Sequence, residues 1–297
     1  MRRLAKRAPS PLDVLFEAAA GAVADAAGVV ESLRGVGIEG WDPEHIRRTL
    51  PLLRGLVAAY FRPDVRGLEN IPREGAALLV GNHSGGLLIA DTFVFSCAFY
   101  DHFGPDRRFH QLAHDVAVRV PYLGGLRRYG TVPASHANAE AAFAAGAPVL
   151  VYPGGDYETF RPSSHSDQIE FGGRKGFIRL ALEEKVPIVP VVSIGGQETA
   201  LFVSRGRRLA KLTRFDKLTR IKVLPITIGP PFGVNILDLP GRVPLPAKIT
   251  IQVLPAIDLK KEFGDDPDVD EVYERVTEQM QQTLSALQDE RNLPIVG

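Results

Sequence analysis

Ala77-Leu78-Leu79-Val80-Gly81-Asn82-His83-Ser84-Gly85-Gly86 is the stretch from which the rest of this chain can be read. Its first five residues form a short uncharged apolar run, the pattern of a strand buried on both faces. Asn, His, Ser and two glycines then end the run, so an imidazole is delivered to the C-terminal edge of a sheet. Open α/β sheets hold their ligands at that edge. Asp91, eight positions after His83, is the first carboxylate beyond it and opens a new apolar helical stretch, Thr92 to Tyr100. A histidine with a carboxylate behind it can take a proton from a hydroxyl. The spacing also fits a strand-end histidine bonded to backbone, and the motif alone does not separate the two.

Outward from this strand, apolar runs and helical patterns alternate. Strands are expected at 109–113, 129–132, 148–152, 187–193 and 249–253, and a short apolar segment at 116–120. Helices are expected at 90–100, 137–145, 175–185 and, as a long charged tail, 268–292. Upstream, an Ala-rich amphipathic helix spans 11–34. A second helix starts after Asp42, a good N-cap followed by Pro43, and runs to Phe61 with Pro51 marking a kink point. Such alternation implies an α/β fold with a mixed, largely parallel central sheet flanked by helices, preceded by an N-terminal helical region. The organisation reads as a helical, membrane-surface region over 1–62, an α/β domain over 63–262 and a C-terminal helix over 263–297.

The chain has 297 residues, no net formal charge, 45% hydrophobic and 24% charged residues. This is an ordinary globular composition, and zero net charge leaves only local patches for anionic partners. Cys97 is the sole cysteine, which excludes an internal disulfide and a cysteine-rich zinc site. No apolar run reaches the roughly 18 residues of a spanning helix. Glu17, Asp25 and Glu31 interrupt the N-terminal apolar stretch and argue against a secretory signal. The expected location is therefore cytoplasmic, with any membrane met only at its inner surface.

Four further segments carry chemistry. Tyr152-Pro153-Gly154-Gly155-Asp156-Tyr157-Glu158 follows a buried strand. Its glycine amides suit an oxyanion or phosphate, with Glu158 and Arg161 reaching an acceptor; a tight turn is the plainer reading. Arg127 and Arg128, beside Gly124-Gly125, suit a phosphate or form a solvated pair. Arg174 and Lys175, after Gly172-Gly173, open a helix where an anion would be favoured; a flexible loop with solvated charges has the same composition. From Arg205 to Lys222 the chain is basic, interrupted only by Asp216, with Leu209, Leu212, Phe215 and Leu218 at three-residue spacing. Such a segment lies on anionic lipid or forms a solvated helix face. It lacks the aromatic pattern of a nucleic-acid surface, and no nucleic-acid partner is expected. His110 and His114 have no third ligand or His-Glu-x-x-His context, so no metal is expected. The Gly-x-Ser-x-Gly elbow of serine hydrolases is missing.

The order of these blocks resembles the glycerolipid acyltransferase family. Asn82-His83 with Asp91, then Leu126 to Pro133, Tyr152-Pro153-Gly154-Gly155, and Val186-Pro187-Ile188-Val189-Pro190-Val191 follow that family's sequence of His-x4-Asp, a glycine-centred block, Phe-Pro-Glu-Gly or Phe-Pro-Gly-Gly, and Val-Pro-Ile-Val-Pro. The chain departs from it in three places. Seven residues, not four, separate His83 from Asp91, and Leu88 stands at the family's aspartate position. On one helix a residue eight positions on would point about 80° away. Ser84-Gly85-Gly86 is therefore expected to form an extra loop, with Asp91 returning from a helix start. Gly154 replaces the glutamate of lysophosphatidate-type members, as in the diacylglycerol-acyltransferase type. Ala134, Ser135 and His136 stand where an arginine associated with an acceptor phosphate usually follows.

The resemblance implies an O-acyltransferase moving a fatty acyl group from acyl-CoA or acyl carrier protein to a lipid hydroxyl, with no cofactor. His83 would be the general base and Asp91 its orienting acid. Gly154, Gly155, Glu158, Arg127, Arg128, Arg174 and Lys175 would contact substrate. A non-catalytic lipid-binding protein of the same fold, and a thioesterase or lipid hydrolase, are the alternatives.

Overall fold

A computed structural model describes residues 37–114, 121–213, 222–236, 238 and 243–291, with the side chains of 121–124 left aside. The expected helix at 11–34, the segment 116–120 and the cations Arg214, Lys217 and Arg220 lie outside these residues.

Helix α1 (Pro43–Phe61) begins where the Asp42 carboxylate accepts the His45 N–H at 2.9 Å, and it runs unbroken through Pro51. Strand β1 (Asp64–Arg66) follows, then β2 (Leu78–Gly81), α2 (Ala90–Phe103), β3 (His110–Ala113), β4 (Thr131–Pro133) and α3 (His136–Ala144). Next come β5 (Val149–Val151), the short α4 (Gly155–Thr159), α5 (Gly176–Glu184) and β6 (Ile188–Ile194). The chain continues through β7 (Leu201–Ser204), α6 (Arg207–Leu212), β8 (Ile226–Gly229), β9 (Gly233–Ile236), β10 (Thr250–Val253), α7 (Leu259–Phe263) and α8 (Val269–Asp289).

Seven strands form the central sheet in the order β1-β10-β6-β2-β5-β3-β4. Every neighbouring pair is parallel except β10 with β6. Side-chain alternation divides the core into two layers. Leu78, Val80, Val149, Ile188 and Val192 pack under α3, α5 and α8. Leu79, Leu150, Val189, Val191 and Ile251 face α1 and α2 on the other side. Helix α8 supplies Val272, Val276, Met280 and Leu284 at four-residue spacing, one buried stripe on a charged helix. Among the described residues no helix is long and apolar enough to cross a membrane.

A second, three-stranded antiparallel sheet, β7-β8-β9, stands apart from the first. It was not expected. The basic segment read as one amphipathic stretch is helical only at Arg207–Leu212 among its described residues.

Candidate active site

The parallel strands β2, β5, β3 and β4 end on one edge, and His83 stands two residues beyond β2 on that edge. Asn82 fixes the exit. Its amide accepts the Ser193 N–H at 2.7 Å and donates to the Ser193 C=O at 2.9 Å, extending the β2–β6 pairing by a side chain. His83 itself is held at both ends of its backbone. Its N–H donates to Glu158 Oε2 at 2.9 Å, and its C=O accepts from Arg161 Nη1 at 2.8 Å.

The chain then turns through Gly85 and Gly86, both at positive φ, and a 3-10 turn at Gly86–Leu88. Only glycine fits at position 86, because a Cβ there would lie 2.2 Å from Asp238 Oδ2. Asp238 also accepts the Leu87 N–H at 2.8 Å. This turn is the extra loop expected from the long His–Asp spacing, and it brings Asp91 back from the first turn of α2.

Asp91 Oδ2 lies 3.0 Å from His83 Nδ1 and accepts the Ser84 N–H at 2.8 Å. Its Oδ1 accepts the Thr92 N–H at 2.7 Å. Every one of these backbone partners is a donor, a set that suits a carboxylate. With Nδ1–H donating to Asp91, the imidazole lone pair falls on Nε2. Asp91 is buried, with 1% of its side chain exposed, while the His83 side chain keeps 12% open. The acid is sealed behind a base that still reaches solvent.

Tyr152 completes the setting of the ring. It stacks on His83 with centroids 4.2 Å apart and planes 17° apart, and its hydroxyl is 2.9 Å from that of Thr92. Gly81 makes the space, since a Cβ there would lie 2.6 Å from the Tyr152 ring. Burial raises the Tyr152 phenol well above its ordinary value, so it stacks as a neutral ring. The tyrosine was visible in the sequence as the first residue of the Pro-Gly-Gly block. Its role was not, because stacking depends on the gap that a glycine leaves on a different strand.

Other expected site residues fall into three groups. Glu158 is fully buried beneath His83 and does not face an acceptor, which corrects that expectation. Burial pushes its carboxyl up to about 7, against the pull of Arg161 and of the His83 N–H. Arg161, also buried, lies 3.7 Å from Glu158 Oε1.

Gly154, Gly155 and Arg174 do stand together at the active edge, but mostly hold each other. The Gly155 N–H is taken by the Tyr152 C=O at 3.0 Å, so it is no free oxyanion donor, a second correction. Arg174 donates to the carbonyls of Pro153 and Gly154 at 3.0 and 2.7 Å. A groove of about 280 Å³ opens beside them, lined by Leu112, Val151, Tyr152, Phe177, Leu180 and Arg174.

Arg127, Arg128 and Lys175 are not brought to the histidine. The two arginines precede β4, at the opposite edge of the sheet and three strands from β2. Arg128 pairs with Asp42 at 2.6 Å at the start of α1. Arg127 packs against Gly40. Lys175 pairs with Asp270 in the first turn of α8 and lies over the Tyr273 ring.

The sequence profile of the acyltransferase family matches residues 62–194, the span that holds His83, Asp91, Tyr152, Glu158 and Arg161. An uncharacterized protein of Mycobacterium tuberculosis (strain H37Rv) is 33% identical over 255 residues, 84% of this chain and 68% of that one. A Bos taurus protein named as a DGAT1/2-independent enzyme synthesizing storage lipids is 29% identical over 153 residues. That alignment takes in 51% of this chain and 44% of the bovine one, so the chain spans less than half of that relative. Among solved structures, the 1-acyl-sn-glycerophosphate acyltransferase PlsC of Thermotoga maritima shares the fold, with a TM-score of 0.54, 16% identity and coverage of 84% of this chain and 81% of its own. The chain belongs to the acyltransferase family and is an acyltransferase.

Proposed function

We propose that this protein transfers a fatty acyl group from acyl-CoA or acyl carrier protein to the hydroxyl of a glycerolipid. The observation that carries the reading is the 3.0 Å contact between His83 Nδ1 and Asp91 Oδ2 at the active edge of the sheet. Nε2 of His83 takes the acceptor's hydroxyl proton as the oxygen attacks the thioester carbon. The tetrahedral adduct collapses with cleavage of the C–S bond, and the imidazolium returns its proton to the departing thiolate. The scheme uses no metal or redox group. Asp91 holds the ring tautomer and offsets the imidazolium charge.

A neutral acylglycerol is the acceptor class we favour. Ala134, Ser135 and His136 line the groove where the family's phosphate-associated arginine usually stands. Arg174, the groove's cation, is already bonded to two carbonyls and lies 3.3 Å from Asp156. The partial likeness to the bovine storage-lipid enzyme supports the same class. The protein would work as a peripheral protein on the cytoplasmic face of the membrane, with acyl-CoA or acyl carrier protein as its soluble partner.

The test incubates purified protein with acyl-CoA or acyl carrier protein and with mono- and diacylglycerol, lysophosphatidate or no acceptor. Free thiol and acylated lipid are both followed. Thiol release matched by an acylated neutral lipid supports the proposal. Thiol release that needs no acceptor assigns a thioesterase instead.

A further inference from the structure

In the small sheet β7-β8-β9, strands β8 and β9 are folded with their polarity reversed. Strands alternate their side chains between two faces, and a half-buried sheet normally turns the apolar set inward. Here the inward positions include Thr227 and Asn235, both buried. The outward positions are Leu201, Val203, Ile228, Val234 and Ile236, and Phe232 projects from the β8–β9 turn with 77% of its surface exposed. Val234 and Ile236 are 65% and 57% exposed. A contiguous aliphatic face of this kind marks an interaction surface, not a satisfied one.

We infer that this sheet face is the surface by which the protein docks on an anionic lipid bilayer, with the aliphatic side chains entering the interface beside the catalytic loop. Two observations favour a bilayer over another occupant. The first is charge. Helix α6 leaves β7 carrying Arg207, Arg208 and Lys211, all exposed, and Lys222 stands just before β8. An apolar face bordered by cations matches a surface of anionic headgroups over acyl chains. A second copy of this chain docked through the same face by a two-fold axis would bring that basic border against itself, at a cost in like-charge repulsion.

The second is position. Phe202, on the inward side of β7, fills the space beside Gly86. Asp238, just past β9, bonds the Leu87 N–H. The sheet is therefore fastened to the loop that links His83 to Asp91, and docking through its outer face holds that loop one sheet layer from the membrane, where a lipid acceptor lies.

The inference rests on the lipid-acyltransferase reading only for the nature of that acceptor. Binding is measured without turnover, so the two can fail separately. Flotation of the full chain with phosphatidylglycerol vesicles, and with phosphatidylcholine vesicles as comparison, gives the partition coefficient. V234N/I236N, two exposed positions, should bind phosphatidylglycerol vesicles about tenfold more weakly. Its transfer to a short-chain acylglycerol in solution should stay near that of the parent. F232W should be quenched by brominated acyl chains on vesicle addition. Unchanged vesicle binding in V234N/I236N, or no quenching of F232W beyond the parent's Trp41 signal, overturns the inference. So does a concentration-dependent dimer in sedimentation velocity that V234N/I236N abolishes while vesicle binding persists. That result would assign the face to a second copy.

Discussion

Glu158 and Arg161, three residues apart, grip the two ends of a single residue: the first accepts the His83 N–H and the second donates to the His83 C=O. Their own charges lie 3.7 Å apart in a fully buried site. Neither head group is exposed, yet together they set where the imidazole starts.

Arg161→Met removes one half of this grip and leaves a buried carboxyl without its cation. Breaking a buried pair in this way costs about 3–5 kcal/mol, and urea unfolding at pH 8 should show a loss of that order. Turnover should fall with it, even under conditions where the variant is folded, because the His83 carbonyl loses its tether.

His83→Ala removes the proposed base, and transfer measured as free thiol plus acylated lipid should drop by about 10²–10⁴ with the fold intact. Asp91→Asn should do comparable harm by another route. An Asn amide presents N–H where His83, Ser84 and Thr92 all donate, so the ring is driven to the tautomer in which Nε2 carries the proton. Near-parental turnover in a folded H83A protein would remove the histidine from the mechanism.

Gly81→Ala tests the stacked tyrosine. A methyl group 2.6 Å from the Tyr152 ring must displace it, at an overpacking cost of about 1–3 kcal/mol. Turnover should fall along with the melting temperature. Tyr152→Phe keeps the ring and loses only the hydroxyl contact with Thr92, so it should remain close to the parent in rate. A G81A variant with unaltered turnover would show that the ring's place does not matter.

Two buried groups give stability opposite slopes with pH. Burial holds Glu158 at about 7 when folded, above its ordinary 4.5, so its contribution is complete below about 4.5 and lost as pH rises through 7. His110 is pushed by burial down to about 4 from an ordinary 6.5, although its Nδ1–H donates to the Gly130 C=O at 3.0 Å. The unfolded chain then takes up a proton first, and this contribution is present above 6.5 and lost as pH falls through 4. Between 4.5 and 6.5 the slopes oppose. Glu158→Gln should leave stability rising more steeply with pH across that window, and His110→Gln should leave it falling. Denaturant midpoints at a series of pH values measure both.

Much of this architecture was legible in the chain. Buried strands such as Leu78–Gly81 read as uncharged runs because both faces are covered, and glycine, proline and Asp42 punctuated the helices. The His83–Asp91 pairing was legible too, since the 80° argument required a loop and a helix start. The small sheet was not. In Ile226-Thr227-Ile228 and Val234-Asn235-Ile236 the alternation is plain, but the polar member lies inside, against the rule that such patterns normally obey. Arg127 and Arg128 misled for a different reason. A pair of cations near a glycine turn carries no sign of which sheet edge it occupies, and only the direction of β4 decides that. Glu158 was identified as a functional residue, but its partner is a backbone N–H, which no side-chain motif encodes.

The acid of the proposed pair is anchored at the head of one helix and its base at the tip of one strand, while the segment joining them, Ser84 to Ile89, packs against the outlying sheet. Separation along the chain is therefore a property of the connector and not of the chemistry. Insertions or deletions in that connector can be accommodated wherever the neighbouring sheet changes to match. A search for relatives keyed to a fixed interval between the two residues would pass over chains built this way, whereas one keyed to strand tip and helix head would retrieve them.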